Sequence, residues 1–365
     1  MRKLRMGIIG LGLAFERLHY PAFQELGERY EIAALCDTKV EKARFWADRL
    51  GLTRDRVYQD YRELIARDDL DAVDIMVPID QNYEITETVA RAWAGKGRAI
   101  LCEKPLAPTL EQAIAAAELP RLYNIPIMIA ENYRYEEEIN KLRELVRTER
   151  AGKAVYFIHN YVSGFPVDMR RDTFAAVEWR QHPDYPGGDI LDAGVHPLAG
   201  LRHIFGAIRT VHAVGRRQDE DFAPFAVVNV NIKFWSGLNG QFAFYSAGQE
   251  PQRPLVGLRI FCTRGEIYHE ERDCGVINVA HNDGGAEQIP YTPGRGYYNE
   301  LVNFHQAFLG LEPLAVTPEM ELGDVKTVFA ILQSIREEEV VRVDEGPAYT
   351  PVYAQPRVPA QPELQ

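Results

Sequence analysis

The feature that most restricts the fold is a glycine-containing turn between a short apolar run and a helical stretch near the start of the chain. The run Leu4–Ile9 predicts a buried strand, and Gly10 and Gly12 follow it directly. Glycine allows a tight turn there and lets the backbone approach a phosphate at the N-terminus of the next helix. This arrangement is typical of a strand–turn–helix unit that binds a dinucleotide, although a tight turn without a ligand has the same pattern.

The first 131 residues continue to alternate between predicted strands and helices. After the first strand, we predict strands at 31–36, 72–77, 98–102 and 125–130, with helices between them. These strands are apolar on both faces, which indicates a parallel sheet covered by helices on each side. The sequence therefore predicts an α/β domain over residues 1–131, in which a doubly wound parallel sheet binds a dinucleotide.

The pattern changes beyond residue 131. Five segments are typical of strands, at 155–162, 211–216, 225–234, 241–246 and 258–262. Helices are predicted at 137–148, 190–205, 298–309 and 318–337. Because regular helices do not separate the strands, we predict an α+β domain over residues 132–345 with a large, mostly antiparallel, open-faced sheet. Residues 346–365 are rich in proline, which predicts a tail that is disordered or extends over another surface.

Charge and cysteine usage limit the expected partners. The 41 basic and 53 acidic residues give a net charge of −12, which argues against a nucleic-acid partner and against an anionic membrane surface. No apolar stretch of the sequence reaches the roughly 18 residues of a membrane span. The four cysteines lack the spacing of a metal site. We therefore expect a cytoplasmic protein that binds no metal, membrane or nucleic acid.

A lysine follows the strand predicted at 98–102, in the segment Cys102-Glu103-Lys104-Pro105. Ligands of open parallel sheets bind at the carboxyl ends of the strands, so Lys104 could donate a hydrogen bond to a substrate oxygen or relay a proton. A solvated loop lysine is the alternative. Because the strand must turn sharply there and another proline lies close behind, we also expect a cis bond between Lys104 and Pro105.

Asp192 and His196 are four residues apart in a predicted helix that follows Gly187 and Gly188. At this spacing both side chains lie on one face of a helix. A carboxylate beside an imidazole fixes the orientation of the ring and favours its protonated form. Taken alone, such a pair is more often structural than catalytic.

Together these motifs resemble those of the Gfo/Idh/MocA oxidoreductases, which include glucose–fructose oxidoreductase and inositol dehydrogenase. The resemblance extends from about residue 5 to residue 342 and includes the segments ILCEKPLAPTLEQA, AENYRYE and EWRQHPDYPGGDILDAGVHPL. It implies the fold predicted above, and it implies that Lys104, Asp192 and His196 are catalytic.

The resemblance also implies positions for the ligands. The residues expected at the cofactor are Gly10, Gly12, Leu13, Ala14, Asp37, Pro78, Asn82, Glu103, Lys104, Trp179 and Arg180. Tyr133 and Arg134 are expected at the rim of the active site, where they would bind substrate together with the catalytic trio. Departures from the family pattern leave the substrate open; they include Phe15, Asn82, Asp189 and Ala199.

The activity implied is hydride transfer between a nicotinamide cofactor and a hydroxyl-bearing carbon of a sugar, cyclitol or related small molecule. His196 would accept the hydroxyl proton, Lys104 would hydrogen-bond the same oxygen, and Asp192 would hold a substrate hydroxyl or the imidazole. The sequence leaves open whether the lysine carries the proton instead. Two alternatives are an NAD-using glycosidase or lyase of the same family and a dinucleotide sensor without catalytic activity.

Asp37 indicates which nicotinamide cofactor is bound. It ends the second predicted strand, where a carboxylate accepts a hydrogen bond from the ribose 2′-hydroxyl and repels a 2′-phosphate. We therefore expect NAD. Lys39 could pair with a phosphate instead, so NADP remains an alternative.

The long strand at 225–234 indicates the assembly. Val228, Val230 and Ile232 alternate with Val227, Asn229 and Asn231, as in a strand with two different faces. An open face of a large sheet tends to be covered by a partner, so we expect a homodimer or homotetramer formed through this sheet.

Overall fold

A parallel six-stranded sheet forms the N-terminal part of the computed structural model, which describes residues 2–170, 175–246, 256–270 and 272–343. Its strands are β1 (Leu4–Ile9), β2 (Tyr30–Cys36), β3 (Val57–Tyr58), β4 (Ala72–Ile75), β5 (Ala99–Glu103) and β6 (Ile127–Ala130). Their order is β3-β2-β1-β4-β5-β6, so the winding reverses between β1 and β4. This is the predicted doubly wound sheet, and ligands of such sheets bind at the point of reversal.

Helices connect these strands. They are a π-helix (Ala14–His19), α1 (Tyr20–Glu25), α2 (Val40–Leu50), a short 3-10 helix (Arg54–Arg56), α3 (Tyr61–Ile65), α4 (Ile79–Ala92) and α5 (Leu110–Tyr123). Thr109 caps α5 by accepting a hydrogen bond from the Gln112 N–H, and α2 ends at Gly51, which has a φ of +69°. Helix α4 begins at Ile79, and Asp80 in its first turn favours a helix N-terminus.

The helical stretch after the glycine turn begins with the π-helix. Phe15 replaces the small third residue of the dinucleotide motif. It is fully buried, and its ring packs edge-on against Trp46 with the ring centroids 4.9 Å apart. The same π-helix carries His19 into the interior, where the imidazole is also fully buried. The departure from the motif is therefore a contact in the core.

A nine-stranded sheet dominates the rest of the described chain, in the order β14-β13-β12-β11-β7-β10-β9-β8-β15. Its strands are β7 (Ala154–Val162), β8 (Ile208–Arg217), β9 (Phe225–Phe234), β10 (Asn239–Tyr245), β11 (Gly257–Cys262), β12 (Gly265–His269), β13 (Val276–His281), β14 (Ala286–Pro290) and β15 (Val341–Arg342). Strands β7 and β10 pair in parallel, and the other pairs are antiparallel. The prediction of a large, mostly antiparallel sheet is confirmed.

Strands β12 to β15 are not predicted by the sequence. They are two to six residues long and mix polar with apolar residues. Strands β12, β13 and β14 pair in succession with the strand before each of them, and β15 pairs with the distant strand β8. Such pairing leaves little local signal.

Helices pack against one face of this sheet. The helices of this part are α6 (Glu137–Arg147), α7 (Phe165–Arg170), α8 (Glu178–Gln181), α9 (Asp189–Asp192), α10 (Val195–Phe205), α11 (Gly296–Phe308) and α12 (Pro318–Glu337). Val228, Val230 and Ile232 of β9 are buried in the core of this part, whereas Asn229 and Asn231 are exposed on the other face. The predicted alternation along β9 is confirmed.

The helix predicted at 190–205 is wrong in one respect, because it is divided into α9 and α10. Gly194 lies at the break, and a Cβ atom there would overlap the carbonyl oxygen of Ile190. The helix is therefore interrupted between Asp192 and His196. These two side chains do not share one face of a continuous helix.

Two helices near the C-terminal end of the described chain, α11 and α12, pack against the N-terminal half of the fold. Leu301 and Phe304 of α11, and Val316 just beyond it, are buried in the same core as β1 and β5. The Tyr30 hydroxyl donates a hydrogen bond to the Leu301 carbonyl. Helix α12 packs against both α5 and β8, so it contacts the two halves of the fold.

None of the described helices is both long and apolar enough to cross a membrane. The proline-rich tail predicted at 346–365 lies outside the described residues.

Candidate active site

The turn after β1 has the geometry of a phosphate-binding turn. Gly10 has a φ of +93°, and a Cβ atom there would overlap the carbonyl oxygen of Met76 on the neighbouring strand's end. A Cβ atom on Gly12, in contrast, would meet nothing within 4 Å. The backbone at Gly12 is thus open to a ligand, and Leu13 and Ala14 follow at the start of the π-helix. The space beside this turn fits the pyrophosphate of a dinucleotide.

The carboxylate of Asp37 stabilises the same turn by hydrogen bonds to the backbone. Its Oδ2 accepts a hydrogen bond from the Leu11 N–H at 3.0 Å, and its Oδ1 accepts one from the Lys39 N–H at 2.8 Å. The carboxylate is half-buried, and each of its oxygens has a second lone pair. It therefore retains the capacity to accept a hydrogen bond from a ribose hydroxyl.

The loop after β5 is fixed on both sides of Lys104. The Lys104–Pro105 bond is cis, as the sequence predicts. The buried Asn82 amide donates hydrogen bonds to the carbonyls of Glu103, at 3.2 Å, and Pro105, at 2.8 Å. Glu103 Oε2 accepts from the Lys104 N–H at 3.0 Å. Asn82 and Glu103, both predicted at the cofactor, therefore hold this loop in place, while Pro78 precedes the first turn of α4.

Behind this loop lies a buried group of ionisable residues that the sequence does not reveal. His19 Nε2 is 3.0 Å from Glu103 Oε1, and His19 Nδ1 is 2.7 Å from Asp74 Oδ2. Burial opposes the charged imidazole, but Asp74 and Glu103 outweigh it and raise the pKa of His19 well above its ordinary value. A protonated His19 therefore anchors the carboxylate that supports the Lys104 backbone.

Lys104 and Asp192 form a buried ion pair. The Lys104 ammonium donates to the Asp192 carbonyl oxygen at 2.6 Å and to Asp192 Oδ1 at 3.0 Å. Arg180 Nε lies 3.2 Å from Asp192 Oδ2, and its guanidinium covers the ring of Trp179. Burial opposes the ionised carboxyl, but Arg180 and Lys104 lower the pKa of Asp192 to about 2. Burial also opposes the ammonium, yet Asp192 and nearby carboxylates raise the pKa of Lys104.

The imidazole of His196 has a different partner from the predicted one. Its Nδ1 lies 2.8 Å from Oε1 of Glu131, whereas the Asp192 carboxylate pairs with Lys104 and Arg180. The ring of Tyr133 stacks on the imidazole, with the centroids 4.7 Å apart and the planes 17° apart. Glu131 is fully buried and directly follows β6. Its position at the end of the strand next to β5 is the signal that could have identified it.

Tyr133 and Arg134 are adjacent in a 3-10 helix, Asn132–Tyr135, in which successive side chains point about 120° apart. Tyr133 faces His196, but Arg134 is only 2% exposed and donates to both oxygens of Asp324 at 2.7 Å. The prediction of Arg134 at the rim of the active site is therefore wrong. It is one side of an ion pair inside the protein.

The described geometry brings the predicted trio together at the carboxyl ends of β5 and β6. The charge of Lys104 helps to lower the pKa of Glu131, the carboxyl that holds His196. The charge of a protonated His196 likewise helps to lower the pKa of Asp192. One ammonium and one imidazole are thus held at this edge of the sheet, each by its own carboxylate. This arrangement can donate a hydrogen bond to a substrate oxygen and accept its proton.

Known proteins are similar to this chain in sequence or in fold. Uncharacterized protein YMR315W of Saccharomyces cerevisiae is 28% identical over 320 residues, which are 84% of this chain and 88% of that protein. D-xylose 1-dehydrogenase (NADP(+)) 2 of Haloferax volcanii is 29% identical over 346 residues, which are 93% of this chain and 100% of that protein. A levoglucosan dehydrogenase solved with NADH has the same fold, with a TM-score of 0.81 at 21% identity, over 94% of this chain and 100% of that chain.

Two family profiles match most of the chain. The oxidoreductase family with an NAD-binding Rossmann fold matches residues 4–128, and the GFO/IDH/MocA C-terminal domain matches residues 139–268. The first match covers the phosphate-binding turn and Lys104, and the second covers Asp192 and His196. The chain therefore belongs to the Gfo/Idh/MocA family and is an NAD(P)-dependent oxidoreductase.

Proposed function

We propose that the chain is a dehydrogenase that transfers a hydride between a nicotinamide cofactor and a hydroxyl-bearing carbon of a sugar or cyclitol. The observation that carries this proposal is the pairing of a fixed ammonium, Lys104, with a fixed imidazole, His196, beside the dinucleotide turn. The names of the D-xylose and levoglucosan dehydrogenases support a sugar as substrate.

Each polar group has one role in this proposal. His196 accepts the proton of the substrate hydroxyl, and the Lys104 ammonium donates a hydrogen bond to the same oxygen as negative charge develops there. Because its partners raise the pKa of Lys104, the lysine serves as the donor and the histidine as the base. Asp192 holds Lys104 and does not contact the imidazole. A nicotinamide bound there would supply the hydride acceptor or donor.

The cofactor would be held by the turn and the residues around it. Gly10, Gly12 and the backbone at Leu13 and Ala14 would receive the pyrophosphate. Asp37 would receive the adenosine ribose. Trp179 and Arg180 would border the nicotinamide side, where Arg180 also neutralises part of the charge on Asp192.

A panel of aldoses, anhydrosugars, inositols and sugar acids tests this function. Each compound is incubated with NAD⁺ or NADP⁺, and the absorbance of the reduced nicotinamide is followed. We expect at least one compound to reduce the cofactor with a stoichiometric loss of substrate. Release of a free sugar from a glycoside without net reduction would favour the glycosidase alternative. Cofactor binding by calorimetry without turnover of any compound would favour the sensor.

Replacing Asp37 by asparagine is expected to strengthen NADP⁺ binding about tenfold relative to NAD⁺, or roughly 1.4 kcal/mol. The substitution removes the charge that repels a 2′-phosphate and keeps an oxygen that can accept from the Leu11 or Lys39 N–H. Dissociation constants for both cofactors are measured by calorimetry. Wild-type protein that binds NADP⁺ as tightly as NAD⁺ would contradict the proposed preference for NAD.

We also propose that a second copy of the chain covers the open face of the nine-stranded sheet. The register brings Tyr156 of β7 opposite Phe261 of β11, with the rings stacked at 5.9 Å, and Ile158 opposite Arg259. Arg259 in turn covers the ring of Tyr268 on β12. This half-buried aromatic strip is of the kind that interfaces bury at their centre.

Light scattering at micromolar concentration tests this assembly. We expect a dimer or tetramer for the wild type and a smaller species for Ile158→Lys, because a second cation opposite Arg259 would be buried in the strip without a partner. Leu122→Lys, at an exposed position of α5, is the matched control and should leave the assembly unchanged. A monomeric wild type would contradict the proposal.

A further inference from the structure

The family assignment leaves Glu131 without a role, although it is the carboxylate closest to the reacting imidazole. Its side chain is fully buried, and Oε1 lies 2.8 Å from His196 Nδ1. The same oxygen accepts the Tyr133 N–H at 3.1 Å, while the Tyr133 ring stacks on the imidazole. Glu131 thus fixes the edge of the His196 ring, and its neighbour Tyr133 fixes the face.

The protonation of Glu131 follows from the charges around it. Burial opposes its ionised form, but His196, Lys104 and the Tyr133 N–H together lower the pKa of Glu131 below its ordinary value. An ionised carboxylate can only accept a hydrogen bond. The hydrogen of a neutral His196 ring must therefore lie on Nδ1, and the lone pair lies on Nε2.

Other ionisable groups from the late helices face Glu131. Glu300 of α11 is buried, and burial raises its pKa well above the ordinary value. Burial likewise raises the pKa of Glu321 on α12 to about 8. Tyr297 of α11 also faces this group, and burial keeps its hydroxyl neutral at physiological pH. At neutral pH the ionised carboxylate that hydrogen-bonds His196 is therefore Glu131.

We propose that Glu131 is the positioning residue of the active site: it holds His196 in the tautomer whose Nε2 accepts the substrate proton, and its charge stabilises the imidazolium formed when that proton arrives. The proposal rests on the proposed dehydrogenase function. It moves to Glu131 the orienting role that the sequence suggested for Asp192. Asp192 is left to fix the Lys104 ammonium, so each of the two reacting groups has its own carboxylate.

The kinetic test compares Glu131→Gln with Glu131→Asp on a substrate found in the panel. Glu131→Gln keeps the size of the side chain but removes its charge. We expect kcat to fall about 10²-fold with little change in KM, since loss of a general-base contribution is worth 10²–10⁴-fold. The acidic limb of the kcat/KM profile should move to lower pH, because a lost negative neighbour lowers the pKa of an imidazole. Glu131→Asp keeps the charge and should recover part of the activity and the limb.

The control is Glu321→Gln, which replaces another fully buried carboxyl near the same site and should leave the acidic limb in place. Thermal unfolding of each variant shows whether it is folded. An unchanged limb and an unchanged kcat in folded Glu131→Gln would overturn the proposal.

Nitrogen NMR of the His196 ring gives a readout that needs no turnover. In the wild type we expect the signal of a protonated Nδ1 and an unprotonated Nε2 near neutral pH, and in Glu131→Gln a mixture of both tautomers. A wild-type ring protonated on Nε2 alone would overturn the proposal. If no compound of the panel is oxidised, the dehydrogenase function fails, and the NMR experiment still decides the role of Glu131.

Discussion

Lys104→Met is expected to reduce kcat by about 10²–10³-fold, which is the cost of removing one donor from a developing oxyanion. The substitution removes the ammonium that Asp192 aims into the site and preserves the length of the apolar stem. Turnover of the best substrate of the panel is the measurement. Lys153→Met, at an exposed position before β7, should turn over like the wild type.

Loss of folding must be separated from loss of chemistry in this variant. Removing Lys104 leaves the buried Asp192 with Arg180 as its remaining cation. A second variant, Lys104→Met with Asp192→Asn, removes both charges of the pair and should regain thermal stability without regaining activity. Near-normal turnover of a folded Lys104→Met protein would exclude the lysine from the reaction.

Asp324→Ala is expected to lower the free energy of unfolding by about 3–5 kcal/mol, the typical effect of removing one partner from a buried ion pair. Asp324 is fully buried, and it accepts hydrogen bonds from Arg134 at 2.7 Å and from Arg202 at 2.8 Å. Without it, two guanidinium groups inside the protein lose their carboxylate. Denaturant unfolding is the measurement.

Glu337→Ala, near the exposed end of the same helix α12, is the control and should leave the free energy of unfolding close to that of the wild type. Equal stability of Asp324→Ala and the wild type would mean that the Arg134 and Arg202 side chains find other partners as good as Asp324.

The parts of the site that depend on local geometry were predictable. Gly10 indicates a tight turn because few other residues adopt its positive φ. Lys104 is identified because it follows a strand whose carboxyl end is a ligand-binding edge of the sheet. The cis bond at Pro105 also follows from the sequence around it. In each case the residues that decide the structure are neighbours in the chain.

The parts that depend on distant contacts were not predictable. The pair of His196 and Glu131 joins residues 65 positions apart, and no spacing reveals it. The Asp192–His196 spacing suggested a shared face of one helix, but the helix is interrupted at Ala193 and Gly194, between the two residues. Arg134 and its neighbour differ in role because a 3-10 helix turns them apart, and 3-10 and α-helical turns are hard to tell apart from four residues.

Helix α11 packs against the N-terminal parallel sheet, although it lies late in the chain. This packing determines when the N-terminal half can finish folding during translation. Leu301 and Phe304 complete a core that begins with β1, and the Leu301 carbonyl accepts the hydroxyl of Tyr30. When all six parallel strands have left the ribosome, α11 has not yet been synthesised. The apolar surface of the nucleotide-binding half that α11 covers is therefore still exposed to solvent. We expect this half to depend on chaperones until the last helices emerge, so that cofactor binding becomes competent only near the end of synthesis.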